Sequence, residues 1–333
     1  MDAPGTPPPF RLDHALLRRR LRQGGTGNVP DSDFLALEIA RRMDERLDFI
    51  RIAPRRILDL GCGTGHDLAR LGERYPDAAR IGLDLALLTR AQARLAPAGH
   101  PLRRLFGKSP PPVGLVAAEG TRLPLADGSV SLVWANLMLP YIDDPLPVFR
   151  EMCRVTETGG LVMFSSLGPD TLRELREILP AHAGERVHRF IDMHDLGDAL
   201  IAAGFSDPVM DMEMATLTYD SLDELFADLR ANAANNAALT RPRGLCGRAG
   251  WEQSRARYEQ LRRDGSLPVS VEIIQGHAWK SESAKKQSLS GAHTDGRAVV
   301  RFHPHPRGKG AYGYTGKYCR DFLHTLPQIF SLS

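Results

Sequence analysis

Cysteine is scarce: four residues in 333, at positions 62, 153, 246 and 319, with no CxxC pair. That spacing excludes a zinc ribbon or a redox dithiol, and nothing in it argues for an oxidising compartment. Long apolar runs are missing too. No stretch approaches the ~20 residues of a membrane-spanning helix. The opening MDAPGTPPPFRLDH lacks the apolar core of a signal peptide. The expected location is therefore cytoplasmic, without membrane contact. Net charge is small, 43 Lys and Arg against 40 Asp and Glu for a formal +3, so no global nucleic-acid footprint is visible. What remains is ordinary globular composition, 42% hydrophobic and 25% charged, enough for one large domain or two modest ones.

The charge that is present is uneven. Arg11, Arg18, Arg19, Arg20 and Arg22 stand against Asp13 near the N-terminus, and residues 280–320 hold Lys285, Lys286, Arg297, Arg301, Arg307, Lys309, Lys317 and Arg320. Two readings stay open, solvated tails or a landing surface for an acidic partner. Residues 1–10 and 281–333 read as poorly structured, the latter rich in Gly, Ser, His and Lys. HPHP (303–306) is a bare pair in a basic tail, so no metal site is assigned. The expected organisation is a basic arm over 1–33, a domain over 34–280 and a basic tail over 281–333.

Within the domain the periodicities alternate. Leu35, Ile39, Met43 and Leu47 share one helical face in residues 34–49. RILDLGCGTG (56–65) reads as a buried strand ending in glycines. RIGLDLA (80–86), GLVAAEG (114–120), SVSLVWANL (129–137) and LVMFSSL (161–167) read as further strands. Between them DLARLGERY (67–75), LLTRAQARLA (87–96) and LPVFREMCRVT (146–156) read as helices, the last stopped by Gly159 and Gly160. Strands alternating with helices mean a parallel, doubly wound sheet. Beyond it, 168–180 predicts a helix, as does 193–204, capped by Asp192 and ended by Gly204. Met210, Met212 and Met214 alternating with Asp211 and Glu213 predict a half-buried strand. Residues 222–263 predict an Arg-rich helical stretch before a last strand, PVSVEIIQGHAW. So long a connection between closing strands marks a lid.

The strongest motif is Asp59-Leu60-Gly61-Cys62-Gly63-Thr64-Gly65, where a strand turns into a helix. Glycines there permit a tight turn and close backbone approach to a ligand. A dinucleotide fingerprint, GxGxxG, would need a third glycine where His66 stands, so it fails. The form that remains resembles motif I of class I methyltransferases, whose acid helps hold the amino group of S-adenosylmethionine. Asp84 ends the second strand, where a carboxylate accepts both ribose hydroxyls or caps the next helix. Glu119 follows the third, where the resemblance sets an acidic or polar residue against the adenine amino group. Leu123-Pro124-Leu125-x-Asp127-x-Ser129-x-Ser131-Leu132-Val133 is close to a run of the same superfamily. The implied fold is α/β: a class I, Rossmann-like doubly wound sheet with an antiparallel closing strand and a helical lid insertion (222–263). The implied cofactor is S-adenosylmethionine, held by Asp59, Gly61, Gly63, Gly65, Asp84, Leu85, Glu119, Gly120 and Asn136.

A narrower resemblance rests on Trp134-Ala135-Asn136-Leu137, FSSLGPDTLRELR (164–176), VHRFIDMHDLGDALIAAGF (187–205), LRRDGSLPVSVEIIQGHAWK (261–280) and DGRAVVRF (295–302). Over roughly 35–302 the chain resembles the malonyl-[acyl-carrier protein] O-methyltransferase family of biotin synthesis. That implies methyl transfer to the free carboxylate of a malonyl group on acyl carrier protein, an acidic partner. A carboxylate of pKa ~4 is already ionised at neutral pH, so none of the eleven histidines is assigned as a base. Arg189 is assigned to the substrate carboxylate, with a structural salt bridge as the other reading. Arg241, Arg243, Arg248, Arg255, Arg262 and Arg263 are assigned to carrier docking, with an exposed helix face as the other reading.

Three places depart from the family pattern. Residues 10–34 lack a Phe-Asp…Tyr-Asp segment, Pro140-Tyr141 stands where the family often has His-Trp, and a glycine expected near Ala233 is absent. The alternatives are a methyltransferase-fold relative with another substrate, including the arginine-hydroxylating assembly factors of respiratory complex I, or a non-catalytic scaffold.

Overall fold

The computed structural model describes residues 11–24, 33–86, 88–95, 111–179, 186–244 and 247–281. The expectations for residues 1–10 and for the tail, HPHP and DGRAVVRF among them, lie outside the described residues.

Aliphatic runs between glycine- and proline-containing loops build a seven-stranded sheet: β1 Arg56–Leu60, β2 Ala79–Asp84, β3 Val113–Ala117, β4 Val130–Ala135, β5 Thr156–Leu167, β6 Ser206–Tyr219 and β7 Leu267–Trp279. The order is β3-β2-β1-β4-β5-β7-β6. Strands β1 to β5 pair in parallel, while β7 runs antiparallel to both β5 and β6. The helices are α1 His14–Gly24, α2 Phe34–Arg46, α3 His66–Arg74, α4 Leu88–Leu95, α5 Pro145–Val155, α6 Arg173–Ile178, α7 Met193–Ala203, α8 Leu222–Ala231 and α9 Arg248–Glu259. Successive strand residues face opposite sides of the sheet, and both sides are covered. Ile57, Trp134 and Met163 enter one core with Ile39 and Met43 of α2. Their neighbours Leu58, Val133 and Phe164 enter the other with Phe149 of α5 and Leu196 of α7. Strand order reverses between β1 and β4, and at such a switch point the carboxyl ends of the strands leave a crevice for a ligand.

Several boundaries differ from the sequence reading. Helix α5 ends at Val155, ahead of Gly159 and Gly160, which sit in β5 instead. The Lys280 ammonium donates to the carbonyls of Cys153 (2.7 Å) and Thr156 (2.6 Å). A cation thus satisfies the helix terminus that glycine was expected to close. The helix expected over 168–180 is confined to α6, after a turn through Leu172 at φ 60°. In β6 the odd-numbered residues turn inward only at its end, where Ala215, Leu217 and Tyr219 enter the core; Asp211 and Glu213 stay exposed and pair with Arg46 and Arg42 of α2, and Met210 packs against the second core as expected. Met212 and Met214 fall on the other side and are 44% and 42% exposed. Asp192 and Gly204 do cap α7, Asp192 accepting from the His194 amide at 2.8 Å.

The stretch 222–263 resolves into α8, an irregular passage and α9. Past the α8 C-cap Asn232, the Ala234 amide donates to the Leu229 carbonyl (2.8 Å) and the Ala233 amide to that of Arg230 (3.2 Å). Those two bonds make a Schellman motif. Its left-handed position is Ala233, at φ 55°, which explains why a glycine is expected there. Since a Cβ opposes this conformation, Ala233→Gly is expected to raise stability by about 0.5–1 kcal/mol after loss of the buried methyl and the added freedom of the unfolded chain. Thermal unfolding followed by circular dichroism checks it, and a lowered melting temperature would contradict it.

Candidate active site

The turn after β1 follows directly from its glycines. Gly61, Gly63 and Gly65 lie at φ 81°, 48° and 81°, a left-handed region that disfavours any side chain. A Cβ on Gly61 would come within 2.8 Å of Met138. The amides of Gly61 and Cys62 donate to the Leu83 carbonyl at 2.7 and 3.1 Å, which ties the turn to the end of β2. There Asp84 accepts from the Gly63 amide (3.0 Å) and, through its other oxygen, from the Ala86 amide (2.8 Å).

Under this turn lies a group of acids. Asp59 is 1% exposed, and its Oδ2 has no hydrogen-bond partner among the described residues. Burial, then the charges of Asp67 and Asp84, push its carboxyl well above the usual range. Asp67, in the first turn of α3, accepts from the Trp134 indole (2.9 Å) and the Asn136 amide (3.1 Å). Burial raises it as well, against the pull of those two donors. Asn136 also donates to the Ala36 carbonyl (2.9 Å) and accepts from Ser165 Oγ (2.7 Å). An unpartnered buried carboxylate oxygen is costly alone and fits a cationic ligand group. S-adenosylmethionine carries an ammonium and a sulfonium, so the acids present suit it. Asp67 escaped the sequence reading, because an acid in a first helical turn looks like routine compensation of the helix dipole.

A cavity of about 310 Å³ opens beside the turn. Of the residues assigned to the cofactor, Gly61, Gly63, Asp84, Leu85, Gly120 and Asn136 line it. Asp59 and Gly65 do not. Gly65 instead begins α3 as its N-cap. Glu119 is outside the lining too, half-exposed and ion-paired with Arg18 of α1. Arg189 is exposed, and it is His188 and Phe190 on either side that line the cavity. Arg176 holds that segment, donating to the His188 carbonyl at 3.0 Å with its guanidinium over the Phe190 ring.

The far side of the cavity comes from β6, β7 and the insertion, through Leu217, Val269, Val271, Leu225 and Leu229. Tyr219, Asp228, Asn232 and Asn235 interrupt this wall with polar groups. Tyr141 links it to the cofactor end. Its hydroxyl donates to the Asn232 carbonyl (3.2 Å), and burial, aided by the charge of Asp84, pushes it up to about 12.

The N-terminal arm, expected to stand apart, forms part of the roof. Leu12, Leu17 and Leu21 line the cavity. Backbone bonds join Asp13 to Ala237 and Leu239 to Arg11, each at 2.8 Å, and Arg241 pairs with Asp13 at 2.9 Å. Sequence pattern alone showed no partner for these leucines.

Residues 58–164 match the methyltransferase domain family. A malonyl-[acyl-carrier protein] O-methyltransferase of Laribacter hongkongensis is 46% identical over 274 residues, 81% of this chain and 90% of its own. One from Methylovorus sp. is 43% identical over 298 residues, 89% and 96% of the two chains. A Bacillus halodurans crystal structure described as a candidate methyltransferase matches with TM-score 0.51 over 73% of this chain and 99% of its own, at 17% identity, a likeness of fold. Fold and domain together make this an S-adenosylmethionine-dependent methyltransferase. With such identity spread over most of both sequences, the chain belongs to the malonyl-[acyl-carrier protein] O-methyltransferase family.

Proposed function

We propose that the methyl acceptor is the free carboxylate of a malonyl thioester on acyl carrier protein, and that the ester serves biotin synthesis in the cytoplasm. The observation that carries this reading is the 43% identity to a so-named relative across 298 residues, which include the insertion as well as the cofactor half. Among the described residues, no helix is long and apolar enough to cross a membrane.

When bound, S-adenosylmethionine supplies a methyl group carried on a sulfonium. The protein's share is alignment and exclusion of water. An acceptor carboxylate is ionised at neutral pH, so no side chain has to remove a proton. We assign Gly61 and Gly63 to the close approach of the cofactor and Asp84 to the ribose, with the buried Asp59 and neighbouring Asp67 behind the turn as acids that favour a cationic group without lining the cavity. Asp84 accepts two backbone amides and lines the cavity, which sets a carboxylate at the end of β2 beside the ligand space. Roof and insertion exclude water.

Arg189 finds no place in the lining, so the assignment of the substrate carboxylate to it is not carried further. Of the insertion arginines, Arg241, Arg255 and Arg262 are ion-paired with Asp13, Asp223 and Glu259. Arg243, Arg248 and Arg263 are exposed, and we assign carrier docking to these three.

Asp84→Ala is expected to weaken S-adenosylmethionine binding by about 1.5–3 kcal/mol, the range for hydrogen bonds to a charged group. Calorimetry decides it, and unchanged affinity would remove Asp84 from the ribose. The Michaelis constant for malonyl-carrier protein should climb with salt as the Debye length shortens to ~8 Å, far more than for malonyl-coenzyme A. In Arg243→Glu/Arg248→Glu that difference should shrink, and an unaltered salt profile would move docking elsewhere. Arg189→Ala should leave the Michaelis constant for malonyl-coenzyme A within about twofold, as for an exposed charge. A tenfold rise would restore its substrate role. Growth of a biotin-requiring strain lacking its own enzyme tests the whole reading.

A further inference from the structure

The proposed substrate is asymmetric. One end is an anion, and the other is a thioester on a long arm whose amides carry N–H donors. The cavity is asymmetric as well. Its cofactor end is the glycine turn with Asp84, and its far end is mostly apolar, with Tyr219, Asp228, Asn232 and Asn235 among its polar residues.

Tyr219, Asp228 and Asn232 form one hydrogen-bonded unit. Tyr219 Oη donates to Asp228 Oδ2 at 2.7 Å, and Asn232 Nδ2 donates to Asp228 Oδ1 at 3.0 Å. Tyr219 is 9% exposed, so the unit is anchored in the core. No Lys or Arg lines the cavity among the described residues, so no lining cation neutralises Asp228. A carboxylate offers about four acceptor positions. Two are filled by Tyr219 and Asn232, which leaves acceptors facing the cavity. Only a donor satisfies them. A second carboxylate has no proton to give at neutral pH, and like charges repel strongly against an apolar wall. Methyl transfer uses none of these three side chains.

Resting on the methyl-transfer reading above, we propose that Asp228, braced by Tyr219 and Asn232, sets the direction of the substrate: it accepts an amide N–H of the pantetheine-type arm and turns the free carboxylate away, toward the cofactor. The specificity is thus for an amide-bearing thioester, selected at the far wall. Asn232 also accepts from Tyr141 through its backbone, so the same helix end that holds Asp228 is fixed to the cofactor side.

The test compares two malonyl thioesters, one of coenzyme A and one of a short alkyl thiol without amides. Both are run with wild type, Asp228→Asn and Tyr219→Phe. Asn keeps the shape but loses the charge and half of the acceptor capacity. The wild type should favour the coenzyme A thioester. Asp228→Asn should lower its kcat/KM at least tenfold, mostly through KM, and leave the alkyl thioester within twofold. Tyr219→Phe should show the same selectivity more weakly. Calorimetry with S-adenosylmethionine should give equal affinity for all three proteins. Equal losses on both thioesters, or reduced cofactor affinity, would show a structural part for Asp228 and overturn the inference. So would unchanged kinetics. If the wild type methylates neither thioester nor malonyl-carrier protein, the substrate reading itself falls and this inference with it, a result distinct from an active enzyme that ignores Asp228.

Discussion

Asp59 is buried beneath the glycine turn with Asp67 and Asp84 near enough to raise its proton affinity. Burying a carboxylate without a counter-charge is among the more expensive things a fold does. Much of the neighbourhood can be traced to managing it. The Trp134 indole, at the centre of the sheet, reaches Asp67, and so does Asn136. Asn136 is in turn held by Ser165 of the adjacent strand and by the Ala36 carbonyl of α2. Four elements, α2, α3, β4 and β5, thereby share one polar network at the switch point. Asp59 Oδ2 is left without a hydrogen-bond partner among the described residues.

The sheet makes that network affordable. Every residue of β4 is buried, and its alternate side chains fill two separate cores. Close packing on both sides leaves little freedom to relax toward water. The acids are therefore held in place by apolar surroundings on rigid strands. The insertion and the first helix add a second layer over the opening.

How much of this could be read in the sequence depended on whether a signal was local. The strand-turn-helix at 56–65 was legible because the glycine demand lies within seven residues. Asp192 and Gly204 showed α7 for the same reason. Gly159 and Gly160 misled, because Lys280, over 120 residues away, closes α5 instead. The methionine alternation in β6 holds only at Met210, because the buried face at the end of the strand is that of Ala215, Leu217 and Tyr219, while Asp211 and Glu213 make exposed pairs with Arg46 and Arg42 of α2. Arg189 was placed by its segment, but facing direction depends on Arg176 and the ring of Phe190, which periodicity does not record. A glycine is expected near 233, and the Ala233 backbone holds the left-handed conformation that glycine adopts without steric cost.

The stitching of residues 11–17 to residues 237–241 has a temporal side. The Asp13–Arg241 pair alone spans 228 positions. On a ribosome adding ~5–20 residues per second, the first helix waits roughly ten to forty-five seconds for its partner to be made. The strands β1 to β5 are all complete before then, so the cofactor turn is able to form during that interval. Leu12 and Leu17, almost wholly buried at the end, are bare throughout it. The roof of the pocket therefore closes only when an early segment meets one made more than two hundred residues later.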